Sequence, residues 1–503
     1  MIKKISTVAL ATLICLPTLA SAGAGNSSDR VADLEKQMTD MNKAFTAQMQ
    51  AMKDEIAALK SKNAEMGKEV ASTSDAVKKG VDMAEWTKKV TLGGQVTFRG
   101  YNLQNVWDFN NNSDGDNADL FRTKGSIWAD FKATDDVTAR IKLTDQTWGE
   151  GVSDSLDNKS NKVFLDNANI NVKSMFGLPV EGTFGRQDVI YGSGFVILDG
   201  QSQYASTSIY FDGVKLRWNL TDQLMLDGLY LKSKEKTMYN NANGNSGDDQ
   251  TLSGFYLTNK KCPITGMQQE VYALNRNDEA IKKNIWMYGL RLSDKLANGI
   301  DYSLEGAIQR GDAGMANGTG AVLKQDAWGT KLNAGYTFKN LDWQPRPYLG
   351  YAYMSGDKSG TTDKSEQWDV FYGGWPQWGD LLAWKYLNLA TTNKLHNVYN
   401  YDAYSTDGGE AAYSNFQIAT IGIGAKPTDK LSVDLSYSKL TFNQTDPGVS
   451  DDFGDYYQTN IKYQYTKNLS FSIYGALLAP GDAFNSTPKN NATEAYWEAE
   501  YKF

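Results

Sequence analysis

The sequence holds 503 residues, with 51 basic and 59 acidic side chains for a formal charge of −8. That balance excludes a nucleic-acid binder, and two cysteines with one histidine leave no cluster for a metal and no C-x-x-C-H for haem, so no cofactor is expected. Beyond the first twenty or so residues no run nears the roughly 18 apolar residues of a membrane helix. Aromatics nevertheless make up 12% of the chain, a combination that a barrel of half-polar strands resolves.

Lys3 and Lys4 precede an uncharged, largely apolar run over 5–19, and Ala20, Ser21 and Ala22 supply the small residues a signal peptidase requires. Residues 1–22 read as a cleaved secretory signal. Cys15 follows Ile14, where a lipoprotein signal needs a small residue, so lipidation there is not expected. Cleavage removes two lysines and leaves 49 basic against 59 acidic side chains, a formal charge of −10, with Cys262 as the one remaining cysteine.

Residues 23–88 form a second region. Val31, Leu34, Met38, Met41 and Phe45 follow 3-4-3-4 spacing, and Met49, Met52, Ile56, Leu59, Asn63 and Met66 continue it after a stutter. The pattern predicts a coiled-coil helix over 30–66, followed by a linker over 67–88. Two arrangements stay open for so narrow an apolar seam: a homotrimer through 30–66, or a single helix lying against the barrel or the cell wall.

From Val90 the period changes to two. Val90, Leu92, Gly94, Val96 and Phe98 alternate with Thr91, Gly93, Gln95, Thr97 and Arg99, and the alternation recurs to the end. Short, similar turns recur at 134–137, 221–224, 293–296, 339–341, 428–431 and 466–469, with less regular ones at 174–179 and 260–266. Long polar loops separate them, at 101–120, 145–162, 191–206, 232–250, 277–283, 311–326, 355–413, 444–455 and 479–493. Short periplasmic turns alternating with long outer loops mark a transmembrane antiparallel β-barrel. The fold class is therefore all-β over 89–503, with about 18 strands, or 16 if the segments near 252–258 and 268–276 belong to one long loop.

In the last strand Ala495, Trp497, Ala499, Tyr501 and Phe503 share one parity. A lipid-facing aromatic end is what the barrel-assembly machinery recognises. This predicts a Gram-negative outer membrane as the destination, with its lipid and lipopolysaccharide as partners, and puts both chain ends in the periplasm, the helix forming a stalk.

Between 165 and 218 the chain carries Ala-Asn-Ile-Asn-Val, then Phe184-Gly185-Arg186-Gln187 with Tyr191-Gly192, then Tyr210-Phe211-Asp212-Gly213-Val214-Lys215-Leu216. With Ser253-Gly254-Phe255-Tyr256, Tyr288-Gly289-Leu290-Arg291-Leu292 and Asp301-Tyr302-Ser303-Leu304-Glu305-Gly306, this pattern resembles the alginate-export family of outer-membrane porins over most of 90–503. The resemblance implies an eighteen-stranded barrel within one chain. It does not imply alginate as the solute, because exporters of that polyanion have a strongly basic bore and this chain is acidic.

Arg99, Arg122, Arg140, Arg217 and Arg291 have lumen parity, since an arginine facing mid-bilayer lipid costs about 2–4 kcal/mol. Asp130, Glu181, Asp227, Asp301, Glu305 and Asp434 share that direction. These candidate pore-lining charges either set up a transverse field across the pore or pair with one another and brace the wall. Arg186 and Arg310 break the parity of their strands and are expected at the rim or at a bulge. In the loop 355–413, Trp368, Phe371, Tyr372, Trp375, Trp378 and Trp384 form a candidate constriction, offering stacking faces to a sugar or aromatic solute, or else an apolar plug or a subunit contact.

The Asp/Asn-rich stretch 110–116 has the spacing of a calcium loop, but Phe121 stands where the closing Glu belongs, which leaves a solvated turn. Barrel enzymes pair a histidine with Ser or Asp; His396 lies in a loop with no such motif, so no enzyme and no metal are expected. The reading is a porin for passive diffusion of ions and small hydrophilic solutes. Its alternatives are a structural or scaffold barrel, serving adhesion or surface electron transfer, and a polysaccharide export channel.

Overall fold

A computed structural model describes residues 27–77, 89–106, 109–111, 117–147, 163–198, 211–234, 249–315, 321–358, 361–373, 378–382, 414–445, 447–484 and 489–503. The signal segment, the stretch 78–88, most of 110–116, Trp375, Trp384 and His396 lie outside the described residues. The chain divides into two units, Met1–Trp86 and Thr87–Phe503.

The first unit is one helix, α1 (Ser27–Val77). It runs past the expected end at 66, through Gly67 and on to Val77. A glycine in a helix costs only about 1 kcal/mol, and Lys68, Glu69 and Ala71 behind it favour helix. Met38, Phe45, Met52, Ile56 and Leu59 along the apolar seam are exposed.

The second unit is a barrel. Its strands are β1 (Val90–Gln104), β2 (Ala118–Lys132), β3 (Val137–Thr147), β4 (Phe164–Val172), β5 (Val180–Gln187), β6 (Phe211–Asn219), β7 (Leu224–Lys234), β8 (Gln250–Asn259), β9 (Gln268–Asp278), β10 (Lys283–Lys295), β11 (Ile300–Met315), β12 (Val322–Tyr336) and β13 (Arg346–Met354). After a two-residue strand, β14 (Lys364–Ser365), come β15 (Phe416–Thr428), β16 (Leu431–Phe442), β17 (Asp452–Gln464), β18 (Leu469–Pro480) and β19 (Ala492–Lys502). β14 pairs only with β12, in parallel, while β13 pairs directly with β15. The remaining 18 strands form a closed antiparallel ring. β8 and β9 pair with each other and with β7 and β10, which removes the sixteen-strand alternative.

The ring closes between β1 and β19, in register from Gln95 opposite Lys502 to Gln104 opposite Thr493. One step further, Gly94 and Phe503 exchange backbone hydrogen bonds of 2.9 and 3.0 Å. The recurrent threonine of the short turns has a physical role. Thr134 Oγ1 accepts from the N–H groups of Asp136 (3.3 Å) and Val137 (3.1 Å), and Thr221, Thr428 and Thr466 hold their turns the same way. These bonds satisfy donors that the ladder abandons at the bend.

Alternation divides each strand between two faces. On β1, Thr97, Arg99, Tyr101 and Leu103 are buried on the inner face. On the outer face Phe98 stacks on Phe121 at 5.6 Å and meets the edge of Trp497 at 5.3 Å. The outer surface here is aromatic. Arg186 and Arg310 lie on outward parity toward the long-loop ends, each joined to an aspartate, Asp212 and Asp326, by contacts of 2.6 and 2.8 Å. A positive-φ glycine neighbours each of them, Gly185 (φ 109°) before Arg186 and Gly311 (φ 126°) after Arg310. In both cases an added Cβ would come within 2.3 Å of a neighbouring strand's carbonyl oxygen.

Candidate functional site

Two long connections fold onto the inner wall. The one between β5 and β6 enters as 188–198, with Val189, Phe195, Val196 and Ile197 buried. Tyr191 stacks on Tyr256 of β8 at 3.9 Å, and Tyr256 on Tyr272 of β9 at 5.2 Å. Their hydroxyls donate to three different carboxylates, Asp227 (2.6 Å), Glu270 (2.8 Å) and Glu305 (3.0 Å). Each ring therefore buries its apolar face while its polar end stays satisfied.

The connection between β13 and β15 lies against this first one. Trp368 stacks on Phe195 at 5.4 Å, and Tyr372 bridges to Ile197 in parallel. Backbone bonds of 2.9 Å (Leu198 N–H to Tyr372) and 3.0 Å (Tyr372 N–H to Val196) hold the two together. Asp369 anchors the pair to the wall, 3.0 Å from Arg276 on β9 and 2.7 Å from Lys283 on β10. Burial alone would raise the Asp369 carboxyl's pKa. The Arg276 and Lys283 charges and the Phe371 N–H outweigh it and hold the group well below the usual carboxylate range.

Further along the same connection, Asp380 lies 3.4 Å from Arg99 on β1 and accepts from the Tyr101 hydroxyl at 3.4 Å. Here burial dominates and raises the Asp380 carboxyl above its ordinary range, even with Arg99 and Arg122 nearby. β1 and β9 stand on opposite sides of the ring. The connection thus holds both sides of the inner wall.

The inward charges named from sequence are all engaged with neighbours. Arg99 contacts Glu498 as well as Asp380, and Arg122 donates to Gln146 at 3.0 and 2.9 Å. Arg140 forms a fork with Asp130 (2.6 and 2.8 Å), and Arg217 another with Asp227 (2.7 and 2.8 Å). Arg291 binds Glu270 at 3.0 Å and lies 3.9 Å from Glu305. Glu181 accepts from Asn171 (2.7 Å), Asp301 from Arg346 (2.8 Å) and Asp434 from Tyr348 (2.8 Å). Bidentate pairs of this kind hold side chains rigidly.

Of the described loop aromatics, Trp368, Phe371 and Tyr372 are at most 2% exposed, so their faces are spent on protein. Trp378 is half-buried. It borders a cavity of about 320 Å³ between the connection and β12, β13 and β15 to β18, with the Lys331 ammonium 5.5 Å from its ring centre. Sequence reasoning missed Arg276, Asp369, Asp380 and Lys331. Arg276 and Lys331 were within its reach, because Arg276 shares parity with Glu270 and Tyr272, and Lys331 with Asn333.

Residues 89–497 match a family model described as Alginate export. The chain belongs to the alginate-export family. No curated protein sequence matches it. Among solved structures it resembles the outer membrane protein OprD of Pseudomonas aeruginosa (TM-score 0.50, 13% identity, 82% of this chain and 93% of that one). It also resembles OccK2 of the same organism (0.51, 13%, 82% and 97%) and a BenF-like porin of Pseudomonas fluorescens Pf-5 (0.51, 11%, 83% and 99%). At such identities the likeness is one of fold. This alginate-export member has the barrel fold of those porins, with two connections and a lattice of paired charges on its inner face.

Proposed function

We propose that the chain is a passive outer-membrane channel for ions and small hydrophilic solutes, narrowed by the connections at 188–198 and 355–413. The observation that supports this is the placement of the second connection. It is clamped to β9 and β10 by Asp369 and to β1 by Asp380, yet leaves a polar cavity of about 320 Å³ beside Trp378. The pairing of the inward charges favours a braced wall of weak ion selectivity over a one-signed filter, because partnered charges of both signs leave little net field. A strongly basic bore, as export of a polyanion requires, is not what these pairs provide. Planar-bilayer recording of the purified protein tests the reading: open, weakly selective channels are expected, and a complete lack of conductance overturns it. Deleting 365–386 is expected to raise single-channel conductance, and an unchanged value removes this segment from the constriction.

The seam of α1 supports assembly of three copies through 30–66, since Met38, Phe45, Met52, Ile56 and Leu59 stay exposed on an otherwise charged helix. Cross-linking of intact cells checks it, with a trimer band expected and a monomer alone refuting it.

A further inference from the structure

The cavity beside Trp378 differs chemically from the inner wall across the ring. Around β2 to β11 the inner wall carries ion pairs on three strand pairs, Arg140–Asp130, Arg217–Asp227 and Arg291–Glu270. Among the described residues that line the cavity, Lys331 and Asp434 are the charged ones. They are of opposite sign, Lys331 facing the Trp378 ring and Asp434 accepting from Tyr348. The other polar groups are hydroxyls and amides. Thr420 and Ser438 share a hydrogen bond of 2.7 Å, and Tyr474 donates to Gln458 at 2.9 Å. Asn333 and Asn460 border the same space.

These features select a solute. A charged molecule leaving water needs a net opposite charge to offset its lost hydration, and the two described lining charges are of opposite sign. Amides and hydroxyls both donate and accept, which suits a molecule rich in hydroxyls. Trp378, half-buried with Lys331 over its ring, adds apolar indole surface to the lining that the C–H groups of a sugar can touch. The volume falls at the lower end of small-molecule sites. We infer that the cavity beside Trp378 is a binding subsite for a neutral, hydroxyl-rich solute of mono- to disaccharide size. The inference rests on the channel reading above and names the solute class that the channel takes.

The test is equilibrium binding of sucrose and of glucuronate to the full-length protein in detergent, followed by saturation-transfer NMR. Sucrose is expected to bind saturably and more tightly than glucuronate. W378A is expected to weaken sucrose binding about tenfold, equivalent to ~1.4 kcal/mol. The N333A/N460A double variant, which spares the loop, should weaken it severalfold. Heat-dependent gel mobility shows whether each variant forms the barrel. Absence of sucrose binding by the wild type, equal or tighter binding of glucuronate, or wild-type affinity in both folded variants overturns the subsite. Binding is read without conductance, so the two readings fail separately. Saturable sucrose binding in a non-conducting protein keeps the subsite and rejects free diffusion, whereas conductance without sucrose binding does the reverse.

Discussion

The Asp369 carboxylate lies 3.0 Å from the Arg276 guanidinium, and both side chains are almost wholly buried. Lys283 completes the site at 2.7 Å. Removing one member of a buried pair strands the other's charge, at a cost of about 3–5 kcal/mol. D369N is therefore expected to release the connection from β9 and β10. Faster hydrogen exchange over 361–373 and raised or noisier conductance would report it. Exchange at the wild-type rate would show that Trp368 and Tyr372 suffice to hold the segment.

Asp380, at the other anchor, should behave differently under the same substitution. Burial raises its carboxyl's pKa, the opposite of Asp369, so ionisation contributes less to this anchor, and asparagine keeps its shape without its charge. D380N is expected to alter conductance far less than D369N. An equal or larger effect would mean that Asp380 is ionised and that its pairing with Arg99 carries the anchor.

The sign of the pH response follows from Asp369. Its pKa is depressed in the folded loop, so its stabilisation is present above the ordinary carboxylate range. It is lost as pH falls below about 4 and on through the depressed value. Release of the Asp369 anchor should therefore raise conductance only below about pH 4. In D369N this acid-induced rise should be absent; a rise that persists would assign the response to other carboxyls.

How much of this was legible in advance depended on periodicity. Strands declare themselves by alternation, and the recurring threonine marked four turns whose backbone N–H groups its hydroxyl accepts. Parity likewise gave the inward direction of Arg99 and Arg217. It did not show that Arg217 was already bound to Asp227, because partnership across strands depends on register. Asp369 and Asp380 were invisible because a loop has no period. Trp368 was named for its aromatic surface, but composition cannot tell a face offered to a solute from one buried on Phe195. The end of α1 was missed because the apolar seam stops at Met66, whereas the helix formers Lys68, Glu69 and Ala71 carry the helix on to Val77.

The turn threonines make a quantitative prediction. Thr466 Oγ1 accepts from the N–H groups of Asn468 (3.3 Å) and Leu469 (3.1 Å) at an exposed bend. Water can replace either bond, so T466A is expected to cost only about 0.5–1.5 kcal/mol in urea unfolding from vesicles. Replacing Thr134, Thr221, Thr428 and Thr466 together should cost close to the sum, since the turns are separate. A much larger loss would show that the turns direct strand pairing as well as close it.

The seam gives the last prediction. Gly94 and Phe503 are the final pair joining β19 to β1, through bonds of 2.9 and 3.0 Å. The Phe503 ring covers Gly94 on the outer face so closely that a Cβ there would come within 2.2 Å of it. Deleting Phe503 removes both bonds and leaves the Gly94 backbone groups at a bare sheet edge beside lipid, where unpaired polar groups are costly. F503A keeps the backbone pair and loses only the ring. The deletion is therefore expected to lower the heat-modifiable, folded fraction in the outer membrane much more than F503A does. Equal losses would place the contribution in the aromatic side chain, which points to recognition during insertion instead of closure of the ring.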